Sequence, residues 1–294
     1  LRQKTVIQRV LVLVLVFSLF TSSSASTSTA AFLKIPTGAR ERAIGQTGVS
    51  HSVSANALYW NPALLAFGER EVRFGAFRWL VDSRGSLGAV KFRARWGGIG
   101  ANYFNLSTPG FEARSRPGPV EAEFTLHQAY LTLGAAYLVR SDLSIGASVK
   151  GWVEDIYGDR AGGLPVFDAG AAYRRGGWMT GIAAANLGEG WQNDPLPAVL
   201  RSGIARQFNY GDFGLLNAAE YSIVHKNIGR IHFGAEADYL QSLFLRAGWF
   251  GNSQVSQLLF GLGVAHSIYR FDASIAPFDE GLGAGWRVGI GVKI

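Results

Sequence analysis

From residue 72 to its end the chain places apolar side chains at every second position, in segments of roughly ten residues. In the stretch 284–294, Trp286, Val288, Ile290, Val292 and Ile294 fall on one face, and Arg287, Gly289, Gly291 and Lys293 on the other. Residues 143–150 repeat this, with Leu143, Ile145, Ala147 and Val149 against Ser144, Gly146, Ser148 and Lys150. So do residues 230–239, where Ile231, Phe233, Ala235, Ala237 and Tyr239 oppose Arg230, His232, Gly234, Glu236 and Asp238. A period of two is a strand period. After residue 30 no apolar run reaches the ~20 residues of a membrane-crossing helix.

Fourteen strands are predicted: 72–80, 85–93, 97–106, 123–139, 142–155, 166–174, 178–187, 198–207, 213–223, 230–240, 243–250, 256–266, 268–276 and 284–294. Most match the ~9–11 residues of a tilted transmembrane strand; 123–139 is longer and is expected to project beyond the bilayer. The connections sort by parity. The even ones, such as 140–141, 241–242 and residue 267, are tight; odd ones such as 107–122, 156–165 and 188–197 are long and rich in Gly, Pro, Asp or Asn. Short turns at one end and long loops at the other are the habit of outer-membrane barrels.

Composition points to the same medium. Apolar residues make up 48% and charged residues only 17%, against roughly 25% charge in a soluble domain. Lipid offers no hydrogen bonds to an open sheet edge, so a spanning sheet must close. A lysine or arginine on the lipid side near midplane would cost about 2–4 kcal/mol, and the alternation turns these residues inward. The expected fold is therefore all-β: a transmembrane antiparallel β-barrel of about 14 strands. In the competing fold, a water-soluble sandwich or lipocalin-like barrel, the apolar face would be the core. Trp79, Trp96, Trp178, Trp249 and Trp286 fit interfacial girdles on the first reading and core packing on the second.

Residues 1–30 read as a secretory signal peptide. Arg2, Lys4 and Arg9 precede the apolar run Val10–Phe20, and Ser28-Thr29-Ala30 gives a small-x-small cleavage pattern, with Ala25 as an alternative. The run is too short to span a bilayer. This segment holds three of the 28 basic residues and no acidic ones, which leaves an excess of four positive charges and no long run of one sign. Nucleic acid is not an expected partner.

Residues 31–66 lack sustained alternation. They open with Phe32-Leu33-Lys34-Ile35-Pro36-Thr37-Gly38-Ala39-Arg40, pass Gly45 and Gly48, and reach Asn56-Ala57-Leu58-Tyr59-Trp60-Asn61-Pro62-Ala63. Asn61 before Pro62 reads as a helix start at 62–66, or else as a plain Asn-Pro turn. The stretch resembles the PorV/PorQ family, itself similar to the long-chain fatty acid transporters (FadL-like barrels) of the outer membrane. Leu64, where family members often carry glycine, departs from the pattern. The resemblance implies a hatch or plug at 31–66 inside a barrel formed by 67–294, with Arg40, Gly45, Asn56, Tyr59, Trp60, Asn61 and Pro62 as the hatch motif. Inward Gly146, Gly170, Gly234, Gly248, Gly289 and Gly291 leave room for it. The inward charges Lys150, Asp168, Arg174, Arg201, Glu236, Asp238, Arg246 and Arg287 either pair with Arg40, Glu41, Arg42, Asn56 and Asn61 or neutralise one another across the lumen.

Motifs for chemistry are few. Cysteine is absent, so thiol catalysis and cysteine metal sites are excluded. The histidines His51, His127, His225, His232 and His266 show no ligand spacing, and no nucleophile elbow or phosphate loop occurs. Gly98-Ile99-Gly100 and Gly261-Leu262-Gly263 lie within predicted strands. The expected protein is not an enzyme, carries no cofactor or metal, and resides in the outer membrane of a diderm bacterium. The PorV/PorQ resemblance implies a carrier or accessory subunit in type IX-like protein secretion, with a translocon and secreted proteins as partners. The FadL likeness implies instead a channel for hydrophobic small molecules such as long-chain fatty acids. Phe111, Arg114, Arg116, Trp191 and Asn193, in loops 107–122 and 188–197, are expected outer docking residues, or else ordinary solvated loop residues.

Overall fold

In a computed structural model, which describes residues 30–80, 82–191, 194–224, 229–278 and 283–294, the alternating segments become one closed sheet. Its strands are β1 (Glu71–Arg78), β2 (Arg84–Ala94), β3 (Gly97–Ala113), β4 (Ala122–Arg140), β5 (Leu143–Ile156), β6 (Asp159–Arg175) and β7 (Trp178–Leu187). There follow β8 (Val199–Tyr210), β9 (Phe213–Val224), β10 (Arg230–Tyr239), β11 (Leu243–Gly251), β12 (Ser256–His266), β13 (Tyr269–Pro277) and β14 (Ala284–Lys293). Each pairs antiparallel with its sequence neighbours, and β1 pairs with β14 from Glu71↔Lys293 to Arg78↔Trp286, so the ring has no open edge. The predicted membrane barrel and its fourteen strands are thus found, while the expected signal segment, apart from Ala30, lies outside the described residues.

The face that points out is apolar. Phe74, Leu131, Leu133, Ile145, Phe233, Leu245, Leu262 and Phe271 are exposed, as are Trp96, Trp178 and Trp286. The inward face carries Arg73, Lys91, Lys150, Asp168, Arg201, Glu220, His232, Glu236, Arg246, Asp272 and Arg287, all buried. Such a molecule is inside out relative to a soluble one, and hydrocarbon is the solvent that suits it. Trp249, stacked on exposed Phe233 at 6.2 Å, belongs to the outer face with the other girdle residues. Trp79 does not: it meets Phe278 edge-on at 5.8 Å and the Arg42 guanidinium at 5.1 Å, inside the barrel mouth.

Two expected loops are strand. Phe111, placed by sequence in a loop, lies in β3 and stacks on Phe124 of β4 at 5.4 Å, so the loop shortens to residues 114–121. Loop 156–165 shrinks to Tyr157 and Gly158, because β6 begins at Asp159. The prolines that suggested loops sit where a strand tolerates them. Pro109 occupies a bulge between Thr108 and Phe111, beyond the last β2 partner at Ser107. Pro165 sits at the β5–β6 bulge, before β7 pairing starts at Phe167. Hairpins β3–β4 and β5–β6 therefore rise beyond the rest of the ring.

Candidate functional site: the plugged lumen

Residues 30–68 fill the barrel interior. They form short helical turns at Ala31–Lys34, Ala39–Ala43, Ala57–Trp60 and Pro62–Ala66, linked by buried turns. Asn61 is extended and accepts the Ala63 N–H at 3.0 Å on its side chain, with Pro62 in the first turn, so the expected helix start is present as a 3₁₀ turn. The same side chain donates to Val49 O at 2.9 Å and to Ala171 O on β6 at 3.0 Å. One amide thereby caps a turn, ties the plug to itself and ties it to the wall.

Small wall residues determine where the plug lies. A Cβ at Gly170 would sit 2.1 Å from Asn61 Oδ1, and one at Gly146 2.5 Å from Ala63 N. Across the lumen Gly45, at φ +72°, reaches the wall so closely that a Cβ there would fall 2.1 Å from Phe233 O. Facing it, Cβ atoms at Gly234 and Gly248 would strike Ile44 O at 2.4 Å and Gly45 N at 1.9 Å. Gly98 and Gly261, in the two Gly-x-Gly pairs, clear Leu65 O and the Ala43 methyl. These pairs are wall residues that admit the plug.

Charge joins plug and wall on the side of the short turns. Arg40 makes a two-toothed pair with Glu236, Nε to Oε2 at 2.8 Å and Nη2 to Oε1 at 2.7 Å. Arg246 reaches Glu236 at 2.5 Å and Asp272 at 2.8 Å, Arg73 reaches Asp272 at 2.8 Å and Glu71 at 2.7 Å, and Arg270 lies 3.3 Å from Asp272. Both expected modes of neutralisation occur, plug to wall at Arg40 and wall to wall elsewhere, as at Lys150–Asp168, 3.3 Å apart. Glu220 accepts the Gly48 and Val49 N–H groups at 2.8 and 3.0 Å, and His232 Nδ1 meets Gly45 O at 2.9 Å. His51 stands between Arg40 Nη1 (3.5 Å) and Thr47 Oγ1 (3.0 Å). Thr47 spends its hydroxyl proton on Ile44 O, so Nε2 of His51 carries its own proton and Nδ1 accepts from Arg40. Burial, then the Arg40 charge, pushes the His51 pKa down to about 3.

The plug leaves two cavities with no shared lining residue. One, of about 610 Å³, opens at the short-turn end and is lined by Arg40, His51, Arg73, Arg174 and Arg270 among others. The other, of about 640 Å³, lies at the long-loop end between plug residues Ala31–Pro36 and strands β8–β12, with Tyr59, Trp60, Trp79, Phe250 and Phe278 in its wall. The opposite half of that end is filled. Phe32 packs there among Phe77, Phe104, Tyr130 and Trp152, with Phe104 and Tyr130 stacked at 5.0 Å. Sequence reading missed this aromatic layer. Its signal was present: Phe77, Phe104, Tyr130 and Trp152 fall on the inward phase of β1, β3, β4 and β5.

The motif residues lie together in the plug. Arg40, Asn56, Tyr59, Trp60, Asn61 and Pro62 hold it in place, with Tyr59 donating to Lys34 O at 2.8 Å, Trp60 to Thr37 O at 3.2 Å, and Asn56 to Glu41 at 3.4 Å. The expected docking residues are scattered. Arg114 pairs with Glu112 and donates to Gly118 O at 2.8 Å within its own hairpin tip, where Arg116 is exposed. Trp191 bridges to Asp194 in the β7–β8 connection, two hairpins away round the ring, and Asn193 lies outside the described residues.

No family model and no curated protein matches the chain. Solved structures do. The Ralstonia pickettii toluene transporter TbuX superposes with a TM-score of 0.62 at 16% identity, over 87% of this chain and 97% of that one. The P. putida toluene transporter TodX gives 0.60 at 15%, over 88% and 98%. The monoaromatic hydrocarbon channel CymD gives 0.64 at 15%, over 88% and 98%. The likeness is one of fold. It runs through nearly the whole of those three structures.

Proposed function

We propose that this protein is a non-enzymatic outer-membrane channel for small hydrophobic molecules, held closed at rest by its plug. The observation that carries the reading is the cavity at the long-loop end. It has five aromatic side chains in its wall, is bounded on one side by the plug, and is set in a barrel whose fold is that of channels for toluene and other monoaromatic hydrocarbons. Cavities of this kind bind through apolar contact, with a few polar groups orienting the guest. Trp60 and Trp79 provide a built-in probe, since a bound aromatic quenches indole emission.

Detergent-purified protein titrated with toluene and naphthalene derivatives is expected to lose tryptophan fluorescence saturably, and Trp60→Phe to remove much of the change. Cells expressing it are expected to accumulate the same compounds faster than cells with an empty vector. Absence of both effects overturns the channel reading. A second reading, a carrier for secreted proteins, draws on the resemblance at Tyr59-Trp60-Asn61-Pro62 and on one feature of the surface. Phe111, Phe124 and Tyr157 form an aromatic patch on the raised hairpins. Recovery of translocon or secreted proteins with the barrel from native membranes, abolished by shortening both hairpins, is the result that would favour it.

A further inference from the structure

The two ends of the lumen differ in how their charges are satisfied. At the short-turn end Arg40, Arg73, Arg246 and Arg270 belong to a network anchored by Glu71, Glu236 and Asp272, while Arg174 lies over the Phe67 ring. At the long-loop end the cavity is lined by Lys34, Arg201 and Arg230, and no aspartate or glutamate is among its described lining residues. Arg201 has one carboxylate neighbour, Glu220 at 3.9 Å, which sits outside the lining and already accepts two plug N–H groups. The Lys34 and Arg230 side chains form no ion pair among the described residues, and burial followed by the Arg230 charge lowers the Lys34 pKa.

Behind the Trp79 and Phe278 wall lies a second layer of positive charge. Arg42 and Arg287 are both 0% exposed. None of the three Arg42 guanidinium nitrogens has a hydrogen-bond partner among the described residues; the group rests on the Trp79 ring. Arg287 donates to Pro36 O and lies over the Phe77 ring at 4.5 Å, with Nε and Nη2 unpartnered. Burial, then the charge of Arg287, pushes the Arg42 pKa down to about 9. A buried guanidinium without a counter-charge is costly, and like charges brought together add to the cost. Two of them beside an aromatic cavity already rimmed by cations create a strong attraction for an anion.

The guest that suits these walls is flat. Tyr59 and Trp60 meet edge-to-face at 5.0 Å and 82°, Trp79 and Phe278 at 5.8 Å and 79°, and Phe250 stacks on His232 at 5.6 Å. Arg201 lies over the Tyr59 and Trp60 rings, Arg42 over Trp79 and Arg230 over Phe250, so these rings offer mainly their edges to another ring, with cations close to where it would lie. We infer that the cavity at the long-loop end selects aromatic carboxylates, with the ring among Tyr59, Trp60, Trp79, Phe250 and Phe278 and the acid group toward Lys34, Arg201 and Arg230. This goes further than the neutral hydrocarbons named for the structural neighbours, and it rests on the channel reading given above.

The test is equilibrium binding of a size-matched pair, 2-naphthoate and 2-methylnaphthalene, to the detergent-solubilised full chain, with decanoate as an aliphatic acid. Naphthoate is expected to bind about tenfold more tightly than methylnaphthalene, with an affinity that weakens as salt rises. The double variant Lys34→Gln/Arg230→Gln is expected to weaken naphthoate about tenfold more than methylnaphthalene, so that the two bind alike. Methylnaphthalene binding as tightly as naphthoate overturns the anion selectivity and leaves the channel reading standing, as does a double variant that weakens both ligands alike. Decanoate matching naphthoate overturns the aromatic assignment. Binding of none of the three, by protein that keeps its heat-modifiable gel mobility, overturns both readings.

Discussion

At Glu236 one carboxylate receives three arginines from distant parts of the chain, Arg40 of the plug and Arg246 and Arg270 of the wall. Glu236→Gln leaves Arg40 a buried cation without its counter-charge, and such a change costs about 3–5 kcal/mol. A lower midpoint in heat-modifiability gels is expected, with Glu236→Asp intermediate. His51 gives the same region a dependence on pH. Its folded pKa, about 3, lies below the ordinary value of 6.5, so between these limits the unfolded plug binds more protons than the seated one. Seating is therefore fully favoured above pH 6.5 and weakens as pH falls toward 3. Amide protection factors over 38–56, which are exchange rates set against the intrinsic rate at each pH, are expected to fall from pH 7 to pH 5, and His51→Asn to flatten that response.

Strand and plug segment were legible in the sequence to different degrees. The strands were readable because lipid on one side and a polar lumen on the other impose a period of two, and 178–187 and 256–266 have the boundaries read from sequence alone. The raised parts of β3 and β6 were not, because beyond the bilayer no medium enforces alternation and proline fits at a bulge. In the plug, Asn61 was legible from the Asn-Pro pair, whereas its bond to Ala171 O depends on where the segment comes to rest. Asn61→Ala removes the cap and the wall contact together. An expected loss of about 1–3 kcal/mol should appear as faster exchange at 61–66, with the barrel's circular dichroism unchanged.

At the scale of the whole molecule, the plug separates two cavities and supplies charge to both. Deleting 31–66 is expected to raise single-channel conductance in planar bilayers. The wall that remains turns more cations than carboxylates inward, so the open pore is expected to prefer anions, measured as a shift in reversal potential under a salt gradient. Which inward residues carry charge was readable from sequence; which of them stay unpaired was not. That Arg42 meets Trp79 instead of a carboxylate follows from the register of β1 against β14 and from the course of a plug without periodicity.

The close approach of Ile44 and Gly45 to Gly234 and Gly248 also bears on how related sequences diverge. A methyl gained on β10 or β11 at these positions would meet plug backbone, Ile44 O or Gly45 N, which no smaller plug side chain relieves, although the two segments lie almost the full length of the barrel apart in the chain. Homologues should therefore retain glycine at these remote sites together, and any lineage that gains a side chain at one of them should route its plug along a different course.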